Sequence, residues 1–306
     1  MGSAASQELS RGLSNFKPVG SRNLSYFGGV EVLYYRLQNE YILMKRISSD
    51  IFSKAQLKTV DALINLSHPN FLLFHGVKQI DEKDYEIYFE NIVWTLEDEI
   101  SRRKEKKEYF TNDEIFAILN QAASALAYFQ QHNIPHGGMT TQALLLATSG
   151  GYKIVHPLLI GRHQSNRDSI KQLSRFLPPN INISSKLETP SDPFKDDAYA
   201  LAITIIDACL LGFTGNPIEQ RMDLVRRGYS AVIWMILEKM IEISEHERID
   251  SLTLDYILRD ETIRSSIKND IHLKQRLAEL LSKVSIHNSF YYLTSLFERP
   301  LFVPIV

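Results

Sequence analysis

The chain has 306 residues, 44% of them hydrophobic, and a formal charge of -2. That is ample apolar material for a two-lobed core, and so near-neutral a balance leaves no electrostatic case for nucleic acid or a strongly acidic partner. A single cysteine excludes a disulfide framework and suits a reducing compartment. No run approaches the roughly 18 apolar residues of a membrane span, and no secretory leader is recognisable, so a cytoplasmic protein is expected.

Residues 1–14 read as a flexible tail. It begins Met1-Gly2-Ser3-Ala4-Ala5-Ser6, which fits N-myristoylation at Gly2 and fits an unmodified tail or a cloning remnant equally well. One acyl chain without a second cysteine or a polybasic run gives at most weak, reversible membrane association. The β-favouring runs Val30 to Tyr35 and Tyr41 to Met44, around a polar Gln38-Asn39-Glu40 turn, predict a hairpin. Tyr85 to Ile92 predicts a further strand, and Thr95 to Ile100 a short helix. Thr111-Asn112-Asp113-Glu114 is a capping box, and Ile115, Ile118, Leu119, Ala122, Leu126 and Phe129 follow at helical spacing, which predicts a long amphipathic helix running into a loop at His136.

Between 161 and 196 the chain is rich in Ser, Asn, Pro and charge, a composition that suits either a disordered loop or a partner-binding surface. Cys209, among Ile205, Ile206, Ala208, Leu210 and Leu211, reads as a small buried hydrophobe rather than a reactive thiol. Leu273, Leu277, Leu280, Leu281 and Val284 sit at helical spacing, and Pro300 to Val306 is apolar. Docking of this segment back on the body is expected, with a partner-binding tail as the alternative.

A set of short motifs in a fixed order resembles the protein kinase superfamily. Tyr41-Ile42-Leu43-Met44-Lys45 resembles the strand of the V-A-I-K lysine, and Leu66-Ser67-His68-Pro69-Asn70 resembles the L-x-H-P-N stretch after the small-lobe helix. The run from His136 through Ala143 to Leu146 resembles the catalytic loop H-R-D-L-x-x-x-N and the strand after it. Lys153-Ile154-Val155-His156 falls where K-I-x-D-F-G would stand, Lys195-Asp196-Asp197-Ala198 resembles the opening of the central large-lobe helix, and Glu247-Arg248-Ile249 resembles the late P-x-x-R-I element. The resemblance spans about residues 15 to 259. It implies an α+β, bilobal protein-kinase-like fold, with a small β-rich N-lobe at 15–91 and a large helical C-lobe at 92–259; the segment 260–306, beyond the resemblance, reads as a helical extension with an apolar tail.

The same alignment shows what this chain lacks. In the family the catalytic-loop Asp accepts the substrate hydroxyl proton, while the loop Asn and the D-F-G Asp hold Mg²⁺. Here those positions are Gly138, Ala143 and His156; the first two offer no side-chain ligand, and a neutral imidazole suits a hard, oxygen-preferring cation poorly. Of the three loop glycines that cradle phosphates, counted to Asn23, Ser25 and Gly28, one survives. The glutamate that should pair Lys45 falls on Thr59, with Asp61 on another face of the helix, so Lys45 is expected to be unpaired and, like Gly28, a doubtful nucleotide ligand. Leu43 replaces the small residue above adenine and Phe89 stands at the gatekeeper position; the two are expected to meet each other or the apolar floor near Leu145 and to occlude the pocket. Leu177-Pro178-Pro179 stands where A-P-E would be, which takes away the glutamate expected to pair with Arg248.

What the resemblance preserves is architectural. His136 is expected to pack in the core, Asp197 to anchor the backbone of the His136 loop, and Arg248 to serve the fold; no metal-ligand spacing appears around His156. The function expected from these residues is that of a pseudokinase, a scaffold or allosteric partner of a protein such as an active kinase, with no cofactor. Two alternatives remain open: a divergent Ser/Thr-type kinase that binds ATP and uses Lys45 with carboxylates such as Asp61 or Glu90, and a metal-independent nucleotide sensor.

Overall fold

The computed structural model describes residues 16–24, 27–36, 39–48, 54–81, 83–161, 174–179, 191–266 and 275–283. The expectations for Gly2 and the 1–14 tail, for Ser25, for most of the 161–196 loop, and for Leu273, Val284 and the 300–306 tail fall outside them. Two sheets open the molecule. The first has five antiparallel strands: β1 (Phe16–Leu24), β2 (Gly28–Tyr35), β3 (Glu40–Ser48), β4 (Phe74–Gln79) and β5 (Asp84–Glu90), in spatial order β1-β2-β3-β5-β4. Helix α1 (Lys54–Leu63) follows β3.

Alternation along the strands gives this sheet two apolar faces, because successive side chains point to opposite sides. Val30, Leu43, Ile47, Ile87 and Phe89 turn inward and join the main core. Leu33, Ile42, Met44 and Tyr88 turn outward and form a second cluster, with Phe16 and Tyr35 packed against it. Phe16 stacks on Tyr88, ring centroids 5.3 Å apart.

The second, three-stranded sheet joins the lobes: β6 (Ile92–Thr95), β7 (Leu144–Ala147) and β8 (Tyr152–Ile154). Phe71 bridges to Ile154 in parallel, and Leu72 and Ile154 extend the link through backbone bonds to Ile154 and Asn70 at 2.9 Å each. Helix α2 (Leu96–Lys106) begins at a Thr95–Asp98 capping box, and α3 (Asn112–Gln131) at the Thr111–Glu114 box read from the sequence. Both boxes satisfy donors that a helix N-terminus leaves open. Arg103 links the two helices, holding Glu99 at 2.6 Å and Glu114 at 2.5 Å.

Helix α4 (Pro193–Cys209) is the axis of the large lobe, buried from Asp197 onward. Helix α3 packs against it, as do α5 (Ile218–Gly228), α6 (Ala231–Met240) and α7 (Ser251–Arg259); the short α8 (Glu261–Ser265) packs on α7. Buried Asp207 of α4 carries an ion pair from Arg175 at 2.8 Å and a second from Arg221, so a carboxylate that burial disfavours is held between two guanidiniums. Cys209 is buried, which pushes its thiol well above its ordinary range.

A further helix, α9 (275–283), returns to this body. Leu277 and Leu280 enter the main core, and Arg276 holds Asp260 at 2.5 Å. Fully burying a leucine contributes about 1.5–3 kcal/mol, enough to seat a short helix of this kind. Among the described residues, no helix is long and apolar enough to cross a membrane.

Candidate functional site

The site lies between the lobes, where the loop after α3 meets the end of β8. Helix α3 delivers the chain to His136, a residue only 1% exposed. Its Nε2 faces the carbonyl of Val155 at 3.0 Å, and its Nδ1 accepts from the Gly138 N–H at 3.3 Å. His156 repeats the arrangement from the other side: Nε2 to the carbonyl of Pro135 at 3.1 Å, and Nδ1 accepting from the Leu158 N–H at 3.2 Å. Each histidine thus bonds the carbonyl of the residue just before the other. The rings lie 5.5 Å apart, and Phe129 stacks near His136 while meeting His156 edge-on.

This crossed clasp fixes the chemistry of both imidazoles. With Nε2–H donating and Nδ1 accepting, each is the neutral tautomer, and neither nitrogen keeps a lone pair for a metal. Burial holds His136 down at about 3, with the neighbouring His156 adding to the effect, and holds His156 down at about 4. The His156 ring also caps a 3-10 turn, Pro157–Ile160, whose Leu159 is fully buried.

Asp197, near the start of α4, completes the loop. Its Oδ2 accepts from the His136 N–H at 2.6 Å and its Oδ1 from the Gly137 N–H at 2.8 Å. The carboxyl is buried, which pushes it up to about 7 against the pull of those two bonds. Gly137 has φ +65°, in the left-handed region that favours glycine, so the second N–H reaches the carboxylate only through that backbone turn. Gly137→Arg, which restores the residue of the H-R-D pattern, is expected to cost about 1–2 kcal/mol through the left-handed φ. An unchanged urea midpoint would show that the backbone there is not held in that region. Gly138 is half-exposed beside it, and Ala143 is fully buried, its N–H bonded to the Thr140 carbonyl at 3.0 Å.

Above the loop, Leu43 and Phe89 are direct cross-strand partners and both are fully buried, in one core with Ile92 and Leu145. Phe27, between β1 and β2, is 2% exposed and meets the Phe89 ring edge-on at 5.7 Å, and Phe74 meets it from another side at 6.1 Å. Lys45 is not unpaired, contrary to expectation: its Nζ donates to the Gly29 carbonyl at 3.3 Å. The expectation considered only acidic partners, whereas a β-hairpin carbonyl is an acceptor as well. A Cβ built on Gly28, itself at φ +70°, would stand 3.5 Å from that same Nζ. Asn23 lies in β1, paired with Gly29.

The remaining candidates are spread around this centre. Thr59 is half-buried on α1 and Asp61 is exposed. Glu90 is committed elsewhere, accepting from Lys153 at 2.6 Å and from the Leu73 N–H at 2.6 Å. Arg248 is fully buried and finds its carboxylate in Asp196, at 3.4 Å, with the Glu242 carbonyl at 2.9 Å and the Tyr199 ring beneath it at 5.2 Å. Asp196, the residue beside Asp197, thus gives this guanidinium a carboxylate.

A sequence profile of the protein tyrosine and serine/threonine kinase family matches residues 26–227. The chain belongs to this kinase family. A search among curated proteins gave no match. The match begins just before Phe27 and ends in α5, so it takes in the His136 loop, the His156 turn and Asp197. For a kinase-family chain the residues that sequence reading missed are instructive: Arg22 and Asp207 lie outside the family's short motifs, Phe27 and Asp196 stand within them at positions given no role, and each acts through a tertiary contact.

Proposed function

We propose that the protein is a pseudokinase: a kinase-family chain that keeps the bilobal frame, transfers no phosphate, and works as a scaffold or allosteric partner of another protein, such as an active kinase, in the cytoplasm. The observation that carries this reading is His156. At the position of a metal-binding aspartate stands an imidazole whose two nitrogens are both bonded within the chain.

The neighbouring residues support it. Gly138 has no side chain to take a proton, and Ala143, fully buried, has neither a ligand atom nor room for one. Phosphoryl transfer rests on positioning and on neutralising charge, so loss of the base and of both metal ligands removes most of what the protein would supply. Nor do the residues fit a nucleotide. Phe27, Leu43 and Phe89 fill the space between hairpin and linker, and Lys45 is turned to Gly29. Neither carboxylate that an unorthodox kinase would need is available, since Asp61 is exposed on the surface of α1 and Glu90 is bound to Lys153.

The test is thermal denaturation with ATP, with and without Mg²⁺ or Mn²⁺, beside a radiolabel transfer assay. A ligand bound at a hundredfold excess over its Kd would stabilise the folded chain by about 2.7 kcal/mol. The expected result is no shift and no transfer. Label transfer that Lys45→Met abolishes would overturn the reading.

A further inference from the structure

Three contacts draw the β1–β2 hairpin down over the cleft. From β1, Arg22 donates through Nη1 to the carbonyl of Ile92 at 3.0 Å and through Nη2 to that of Val93 at 2.8 Å. The guanidinium thus spans from the edge strand of the small lobe to the linker strand β6. Phe27 inserts beneath the hairpin against Phe89, and Lys45 rises from β3 to the Gly29 carbonyl. A planar guanidinium that donates to two successive carbonyls is geometrically demanding, and its bonds are of the stronger, charge-assisted kind. Arg22 therefore occupies two backbone acceptors of the linker strand at once.

We propose that the hairpin is a built-in lid, latched by Arg22 and plugged by Phe27, that holds the two lobes closed on each other without any ligand. The guanidinium takes the linker acceptors, and the phenyl ring takes the apolar space. The contact is autoinhibitory in the plain sense that chain and ring ligand compete for one place. It deepens the pseudokinase reading and rests on it for the absence of a natural ligand. The lid itself rests on the Arg22 and Phe27 geometry.

Hydrogen exchange resolved along the full-length chain tests the latch. Arg22→Ala is expected to speed exchange in 28–35 and 92–95 by about tenfold or more, the effect of losing charge-assisted hydrogen bonds that hold a local unit shut, while α3 and α4 are unchanged. Arg22→Lys should behave like Arg22→Ala, because one ammonium does not span both carbonyls in a fork. The second arm is calorimetry with adenosine, which carries no phosphate and needs no metal. The Arg22→Ala, Phe27→Ala double variant should bind it at least about tenfold more tightly than the wild type, a change of about 1.4 kcal/mol. Unchanged exchange in Arg22→Ala overturns the latch, and unchanged adenosine affinity in the double variant overturns the plug. Phosphate transfer by the wild type would overturn the pseudokinase reading and leave both of these readouts standing, so the two failures are distinguishable.

Discussion

Asp197→Ala is expected to cost about 2–4 kcal/mol of folding stability, while Gly138→Asp, which restores the catalytic residue of the family, should change it by less than about 0.5 kcal/mol. The difference follows from where each side chain stands. Asp197 accepts the His136 N–H, which is buried, and the Gly137 N–H, and removing the carboxylate takes away both of these bonds. Each stranded donor costs about 1–3 kcal/mol, offset in part because the variant no longer buries a carboxyl. Gly138 is half-exposed, and an added carboxylate there remains in water. Asp197→Asn should fall between the two, since its amide keeps one acceptor and turns an N–H toward the second donor. Urea unfolding of the three variants measures this directly. Equal losses for Asp197→Ala and Gly138→Asp would mean that the loop is not held from α4.

That anchor was legible because it is carried by a short motif: an Asp at the head of an apolar helix has few roles, and Lys195-Asp196-Asp197 gave its position in the chain. The α3 helix was legible for the same kind of reason, since capping box and apolar spacing are local. Strand β1 was not read, because five consecutive residues, Lys17 to Ser21, are exposed and include Pro18 and Gly20, so neither alternation nor β propensity marks it. Its role comes from a side chain reaching backbone carbonyls some 70 residues away, and a carbonyl acceptor leaves no trace in residue identity. The partner of Arg248 was missed for a related reason. A carboxylate for it stands at Asp196 rather than in the Leu177-Pro178-Pro179 stretch, and only packing brings Asp196 to that guanidinium. His136 and His156 are each legible only singly, one as a packing residue and one as the residue in place of a metal-binding aspartate, whereas their pairing is a property of the fold.

That pairing makes the protein sensitive to acid, and the sign can be worked out group by group. His136 and His156, held at about 3 and about 4 when folded, return to an ordinary 6.5 when unfolded. Each therefore takes up a proton on unfolding between its folded value and 6.5; its contribution is complete above 6.5 and is lost as pH falls. Asp197 runs the other way. Raised from 3.8 to about 7, it releases a proton on unfolding through that interval and so favours the folded chain at lower pH. Between about pH 4.5 and 6 the two histidines outweigh the one aspartate by a single proton, which makes acidification destabilising by about 1.4 kcal/mol per pH unit. His68 and His75, also lowered by burial, add in the same direction, while Asp196 and Asp207, raised by burial, oppose it. His156→Gln isolates the clasp from all of these. The amide can donate to the Pro135 carbonyl and accept from Leu158 without titrating, so the variant's stability should fall less steeply with acid, by about 1.4 kcal/mol per pH unit between pH 4.5 and 6. Urea unfolding at intervals across that range, for both proteins, yields the two slopes. Parallel slopes would mean that His156 titrates in the folded chain as it does in the unfolded one, and that its ring is open to water rather than closed between Pro135 and Leu158.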